Sequence, residues 1–173
     1  MLYEISDKYI NFVRLNYDSR VLDNHFVSHN RKYIGLKIDL DNYSYFLPLS
    51  SPDRSDYSPD GKVRKTIVPI YRMFQNNGNF LGKILLNNML PAPPSELTLY
   101  DVSSETDYKY KMLVLAELRI INRDYAKIEK NAITLYHQRT LLYGQNKNYP
   151  NYLNSTVDFK LLEAAYNDFI SRP

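Results

Sequence analysis

The chain has 173 residues, 44% hydrophobic and 24% charged, a length and composition that suit a single folded domain over residues 1–173 with its own core. Cysteine is absent, which excludes disulfides and thiolate metal sites. A net charge of +3 and a pI near 8.9 permit a polyanionic partner without demanding one. In chain order, Leu2 to Ile5 reads as a short strand, and Ser6 caps a helix whose Tyr9, Ile10, Val13 and Tyr17 fall on one face. Asp18 to Asn30 is polar and turn-rich, hence loop. Tyr33 to Leu40 alternates, with Ile34, Leu36, Ile38 and Leu40 on one side; Asp41-Asn42 turns the chain and Tyr43 to Leu49 returns as the partner strand. Ser50 to Arg64 is a long irregular connection, the kind of loop that is functional or disordered. Thr66 to Met73 is a strand interrupted by Pro69, the mark of an edge. Asn76-Asn77-Gly78-Asn79 is a turn; Phe80 to Leu86 and Leu97 to Val102 complete the strands on either side of Pro91-Ala92-Pro93-Pro94.

From about Thr106 the period changes. Val114, Leu118, Ile121, Tyr125, Ile128, Ala132 and Leu135 form an apolar helical stripe, which the polar Asn122-Arg123-Asp124 could divide into two helices. Ser155 with Asp158 resembles a capping box opening a last helix, with Phe159, Leu162, Tyr166 and Phe169 on one face. Strands first and helices later predict an α+β domain around an antiparallel sheet. The first residues show no basic and apolar leader, and runs such as Met112 to Ala116 fall far short of the roughly 20 residues that span a bilayer. A cytoplasmic protein without membrane contact is the expectation.

Much familiar chemistry is missing: no Gly-rich phosphate loop, no G-x-S-x-G elbow, no H-E-x-x-H. His25 and His29 share a loop but have no third ligand nearby, so no metal and no cofactor is expected. The 17 tyrosines suit stacking on unpaired bases, but an A/T-rich gene inflates Tyr, Asn, Lys and Ile together, and that reading weighs more. What remains is a polar, basic set. Arg31 and Lys32 precede the first strand of the hairpin and Ser50 and Ser51 follow its second, so antiparallel pairing brings the two pairs together. Arg54, Lys62, Arg64 and Lys65 come from the loop beyond. Cations around hydroxyls suit a phosphodiester, attracting it and stabilising the extra charge of a pentacoordinate transition state. A serine there orients the phosphate or relays a proton. Hairpin ends are also ordinarily wet and charged, and the cluster alone does not decide between these readings.

Four segments carry a resemblance: LYEISDKYINFVR at the start, RKYIGLKIDLDNYSYFLPLSSP, the central NFLGKILLNNMLP, and FKLLEAAYNDF at the end. Together and in this order they resemble the ToxN/AbiQ family, the endoribonuclease toxins of type III toxin–antitoxin systems in phage abortive infection. The most specific element is aromatic-Ile-Gly, a strand, then Tyr-x-x-Pro-Leu-Ser/Thr-Ser-Pro, and AbiQ-like members look closest. The resemblance implies a compact, twisted, barrel-like antiparallel sheet akin to MazF/Kid toxins, with helices around it. It implies metal-independent, sequence-selective cleavage of cellular or phage RNA by the ribose 2′-hydroxyl, leaving a 2′,3′-cyclic phosphate. It also implies a small, repeated, pseudoknotted RNA antitoxin as partner, processed by the toxin and then held in its active groove, with assembly through that RNA. The motif falls on Ser50, Ser51 and Pro52; the basic residue ahead of the Ile-Gly strand falls on Arg31, with Lys32 beside it, and Tyr45 becomes a candidate wall of the site. In one respect the chain departs: some members have lysine directly after Ser-Pro, where this chain has Asp53 and then Arg54. Either Arg54 supplies the charge, or Lys32 or a loop lysine does. Arginine is a poor proton carrier, because its pKa stays above about 12. An RNA-binding module without catalysis is the alternative function.

Overall fold

The computed structural model describes residues 1–26, 29–30, 32–40, 42–144 and 148–172. In chain order it contains β1 (Leu2–Ile5), α1 (Asp7–Asn16), β2 (His25–Phe26), β3 (His29–Asn30), β4 (Tyr33–Leu40) and β5 (Tyr43–Ser50). There follow β6 (Ile70–Phe74), β7 (Phe80–Leu85), β8 (Leu90–Pro91), β9 (Leu97–Leu99), α2 (Tyr108–His137) and α3 (Phe159–Ser171). The main sheet runs β6-β7-β5-β4-β1-β9, with β8 also on β5, and every pair is antiparallel. β2 and β3 form a two-stranded sheet of their own among the described residues, inside the stretch the sequence pattern assigns to loop. The expected α+β architecture holds, but its barrel-like part is corrected: the strand path ends at β6 and β9, and no closed barrel is found among the described residues.

β5 is the hub. Its first half is flanked by β4 and β8, and its last residues by β7, through Leu49↔Ile84 and Ser50↔Lys83. Asp41 of the expected hairpin turn lies outside the described residues; Asn42 beside it has φ 68°, the left-handed conformation that asparagine tolerates. Gly35, the glycine of the aromatic-Ile-Gly element, has a physical reason: a Cβ there would run into the Tyr3 ring.

Alternation along β6 and β7 puts Tyr71, Met73, Gly82 and Ile84 on one face of the sheet and Arg72 and Lys83 on the other. The first face is covered by α2, whose 30 residues span about 45 Å. Its stripe Val114, Ile121, Ile128, Ala132 and Leu135 is buried as expected, while Tyr125 stays exposed. The triplet Asn122-Arg123-Asp124 does not break the helix. Arg123 donates to the Asn76 side chain at 2.8 Å and the Phe74 carbonyl at 3.1 Å, and Asp124 is buried beside Tyr71, so the polar residues dock the β6–β7 hairpin.

At the other end, α1 is capped by Ser6 and buries Tyr9, Ile10 and Val13. α3 starts later than the Ser155 pattern suggested. Asp158 is its N-cap, accepting from Lys160 N and Leu161 N, and Asn151–Ser155 forms a tighter 3-10 turn. Phe169 of α3 packs edge-on against Tyr9 and Phe12 of α1, and the Tyr17 hydroxyl donates to Asp168 at 2.7 Å. β6 begins at Ile70, just after Pro69, so the proline precedes the strand rather than interrupting it. No helix among the described residues is long and apolar enough to cross a membrane.

Candidate active site at the end of β5

β5 stops at Ser50, and Ser51 and Pro52 lead exposed into the following segment. That segment is built, not slack. Asp53 caps a short 3-10 turn, Arg54–Asp56, accepting from Ser55 N, while the Asp56 carboxylate accepts from Asp53 N at 3.0 Å. The backbone then folds back on itself, with Ser58 N on the Lys62 carbonyl and Arg64 N on the Asp56 carbonyl. The expected long irregular connection is therefore a compact flap over the face of Lys83 and Arg72.

An ion cluster holds that flap down. Ser50, Lys83 and Arg72 stand in one cross-strand row over β5, β7 and β6. Lys83 Nζ donates to Asp53 Oδ2 at 2.6 Å and to Asp56 Oδ2 at 2.7 Å. Arg72 Nε donates to Asp56 Oδ1 at 3.1 Å, and another guanidinium nitrogen donates to the Lys65 carbonyl at 2.8 Å. Asp56 is fully buried and Lys83 is 4% exposed. The Lys83 ammonium and the Ser55 hydroxyl beside Asp53 hold its carboxyl down to about 2. Two cations meet two carboxylates, so the cluster is balanced; it shapes the site more than it charges it. Asp53 stood out in the sequence as the departure after Ser-Pro, but Asp56, Arg72 and Lys83 did not. The signal that could have found them is the alternation of charged Arg72 and Lys83 within otherwise apolar strands, at positions the pairing brings side by side.

Of the expected site residues, Lys32 accepts through its carbonyl from Leu49 N at 2.9 Å, so the two ends of the hairpin do lie together. Its side chain is 8% exposed, ion-paired with Glu4 and 4.0 Å above the Tyr100 ring. Burial pushes the Lys32 ammonium below its ordinary value, opposed by the nearby Glu105 carboxylate. Arg31 lies outside the described residues. Arg54, Arg64 and Lys65 are exposed on the flap, and Lys62 is exposed with a 3.0 Å pair to Asp60. Tyr45 is placed elsewhere. It is fully buried, and its hydroxyl donates to Glu163 at 2.7 Å, because its odd-numbered position on β5 turns it under α3 and the end of α2. It is a core residue, not a wall of the site.

Gly82, one residue before Lys83, faces α2. A Cβ on it would stand 2.7 Å from the Ser50 carbonyl oxygen and 3.2 Å from Glu117 Oε1. Gly82→Ala therefore forces the end of β5 to move, and a loss of about 1–3 kcal/mol is expected in a thermal melt, as for other overpacked positions. An unchanged midpoint would mean that β5 has room there. Glu117 itself, on α2, is 6% exposed, and burial alone pushes its carboxyl up to about 7. Sequence pattern alone did not single it out, since it interrupts the apolar stripe as any surface glutamate would. Among the described residues, no group of three His, Asp or Glu side chains is gathered as a metal site requires.

Known proteins resemble this chain over nearly its whole length. The family described as "Toxin ToxN, type III toxin-antitoxin system" matches residues 1–167. Endoribonuclease AbiQ of Lactococcus lactis subsp. lactis is 30% identical over 166 residues, 94% of this chain and 85% of that protein. Endoribonuclease ToxN of Pectobacterium atrosepticum is 26% identical over 171 residues, 96% of this chain and 92% of that protein. A solved structure described as "A processed non-coding RNA regulates a bacterial antiviral system" shares the fold at TM-score 0.79 and 26% identity, covering 97% of this chain and 98% of the other. The chain thus belongs to the ToxN family of type III toxin–antitoxin toxins.

Proposed function

We propose that the chain is an endoribonuclease toxin, acting as one domain in the cytoplasm and cutting RNA at selected sequences without a metal. The ribose 2′-oxygen attacks phosphorus, the bond to the 5′-oxygen breaks, and a 2′,3′-cyclic phosphate remains. Its partner is a small, repeated, pseudoknotted RNA antitoxin, which it processes and which then blocks it, and its role is abortive infection by phage. The names of its relatives support the activity, and the solved relative governed by a processed non-coding RNA supports the partner. Kinship to MazF/Kid toxins belongs to the same proposal and rests on the antiparallel sheet.

One observation carries the assignment of the site: the cross-strand pair of Ser50 with Lys83, whose ammonium reaches Asp53 at 2.6 Å. The lysine that some relatives have after Ser-Pro is absent here, and Lys83 brings an ammonium to the same turn from the neighbouring strand. Because that ammonium is balanced by carboxylates, the attraction for a polyanion comes from exposed Arg54, Arg64 and Lys65, with Lys62 at the margin, and Arg31 joins them on sequence grounds alone. Ser50 and Ser51 orient the phosphate oxygens. Lys32, with its proton loosened by burial, stabilises charge at the start of β4.

The test is incubation of a mixed RNA pool with the protein in excess EDTA, mapping the new ends beside Ser51→Ala. Cyclic-phosphate ends at a recurrent short sequence are expected, falling at least about 100-fold in the variant while RNA affinity holds. RNA that is bound but left intact would establish the binding module instead.

A further inference from the structure

Glu117 is a buried acid near the serines for which the ribonuclease reading has as yet no use. It lies on the inner face of α2, above Gly82, with its Oε1 3.2 Å from where a Cβ on that glycine would stand. The Ser50 carbonyl lies 2.7 Å from the same point, so the carboxyl and the end of β5 share one small space. The pairing of β5 with β7 runs through Leu49↔Ile84 and Ser50↔Lys83 and ends there, and exposed Ser51 follows directly on the Ser50 carbonyl. Side chains alternate along a strand, so the step from Ser50, on the face of Lys83, to Ser51 is a step toward the face of Gly82 and α2.

The surroundings make the carboxyl unusual. The titratable groups on the elements packed against it already have partners or stay neutral. Tyr110, two turns earlier on α2, is pushed up to about 12 by burial and then by Glu117 and Glu105. From β6, Tyr71 is bound to Asp124; from β7, Lys83 turns to the opposite face and its two aspartates; Lys32 is paired with Glu4. No described cation pairs with Glu117. A buried carboxylate without a cation beside it destabilises a fold, and proteins keep such groups where a proton has to be held and released.

We propose that Glu117 is the proton acceptor of the site, acting through the Ser51 hydroxyl; the proposal rests on the ribonuclease reading. As the 2′-oxygen bonds to phosphorus, its proton passes to Ser51 Oγ, and the Ser51 proton passes to the Glu117 carboxylate. The phosphorus bond to the 5′-oxygen breaks, and that oxygen takes a proton from water. The hydroxide so formed removes the proton from Glu117, and every atom and charge returns to its start. Glu117 is thus a positioning and relay residue behind Ser51, and Gly82 is required because any side chain there would part the two.

The sign of the pH dependence follows. Glu117 accepts only as carboxylate, and burial lifts its titration from the ordinary 4.5 to about 7, so cleavage should rise tenfold per pH unit below 7 and level off above it. The same shift means that folding loses stability as pH rises from 4.5 to 7, because the buried group ionises later than in the unfolded chain. Glu117→Gln, close in size and uncharged, should therefore fold at least as well as the parent above pH 7. It should lower kcat about 100-fold with KM held, and abolish the limb near 7. Glu117→Asp should keep a limb at a displaced pH.

The experiment is single-turnover cleavage of one mapped RNA from pH 5 to 9 by the parent and both variants, with melts at each pH. A limb that survives in Glu117→Gln, or an unchanged kcat in a folded variant, overturns the relay and leaves the ribonuclease standing. If the parent protein cuts no RNA at any pH, the ribonuclease reading falls and the relay falls with it.

Discussion

Asp56→Ala should lower the thermal midpoint by about 10 °C, the consequence of losing roughly 3–5 kcal/mol when one member of a buried ion network is removed. Asp56 is fully buried and accepts from Lys83 Nζ, Arg72 Nε and Asp53 N at 2.7, 3.1 and 3.0 Å. Its removal does not orphan the cations completely, for Lys83 keeps Asp53 and Arg72 keeps the Lys65 carbonyl. What is lost is the carboxylate that, among the described residues, joins the flap to both β6 and β7. Asp60→Ala is the control: its pair with Lys62 is surface-exposed, and such pairs contribute about 0–1 kcal/mol. Replacing Lys83 by methionine as well should soften the damage, since the charge left short of a partner then disappears. Equal midpoints for Asp56→Ala and Asp60→Ala would show that the cluster is ornament. Acid should act in the same direction. Asp53 is held down to about 2, so its contribution is complete above its ordinary 3.8 and is lost as pH falls through 2.

Glu163→Ala should destabilise by about 2–4 kcal/mol, through hydroxyls left without acceptors and a small cavity. One oxygen of Glu163 accepts the Tyr45 hydroxyl at 2.7 Å and the Tyr136 hydroxyl at 2.6 Å, while the other accepts Lys160 Nζ at 2.8 Å. Burial first, and then the hydrogen bond to the carboxylate, raise both phenols above their ordinary range. Glu163→Gln keeps an oxygen able to accept both hydroxyls and loses only the half-exposed Lys160 pair, so it should cost far less than the alanine. Tyr45→Phe should cost about 1 kcal/mol and leave cleavage unchanged, as befits a core residue. Urea denaturation at pH 7 gives the order of the three variants. A Gln variant as weak as the Ala variant would mean that charge, not acceptor geometry, holds this junction.

Local pattern carried far where periodicity and burial agree. Alternation placed β4 and β5, the helical stripe placed α2, and Ser6 marked the start of α1. It failed where a residue has two local options and a distant contact chooses. Ser155 and Asp158 both look like caps, and Asp158 wins because its own backbone N–H is fixed by Asp18 from near the other end of the chain. Asn122-Arg123-Asp124 looks like a break until the hairpin that satisfies it is in place. The site divides in the same way. Antiparallel pairing was enough to bring Lys32 beside Leu49 and thus near the serines. Lys83, Asp56 and Glu117 stayed hidden because their meaning lies in partners 16 or more positions away or, for Glu117, in burial without a cation among the described residues. Tyr45 misled because a strand's inner and outer positions cannot be told apart when both are aromatic or apolar.

The contact between α1 and α3 bears on the order in which the fold can be completed. Phe159, Leu162 and Ala165 close the core, and Phe169 seats against the first helix, so a helix made late seals one made early. At about 5–20 residues per second, synthesis from the end of α1 to the start of α3 takes roughly 7–30 s, and throughout it α1 waits for its partner. For the whole of that interval a nascent chain is without its finished core, and the site at the end of β5 stands on an incomplete scaffold.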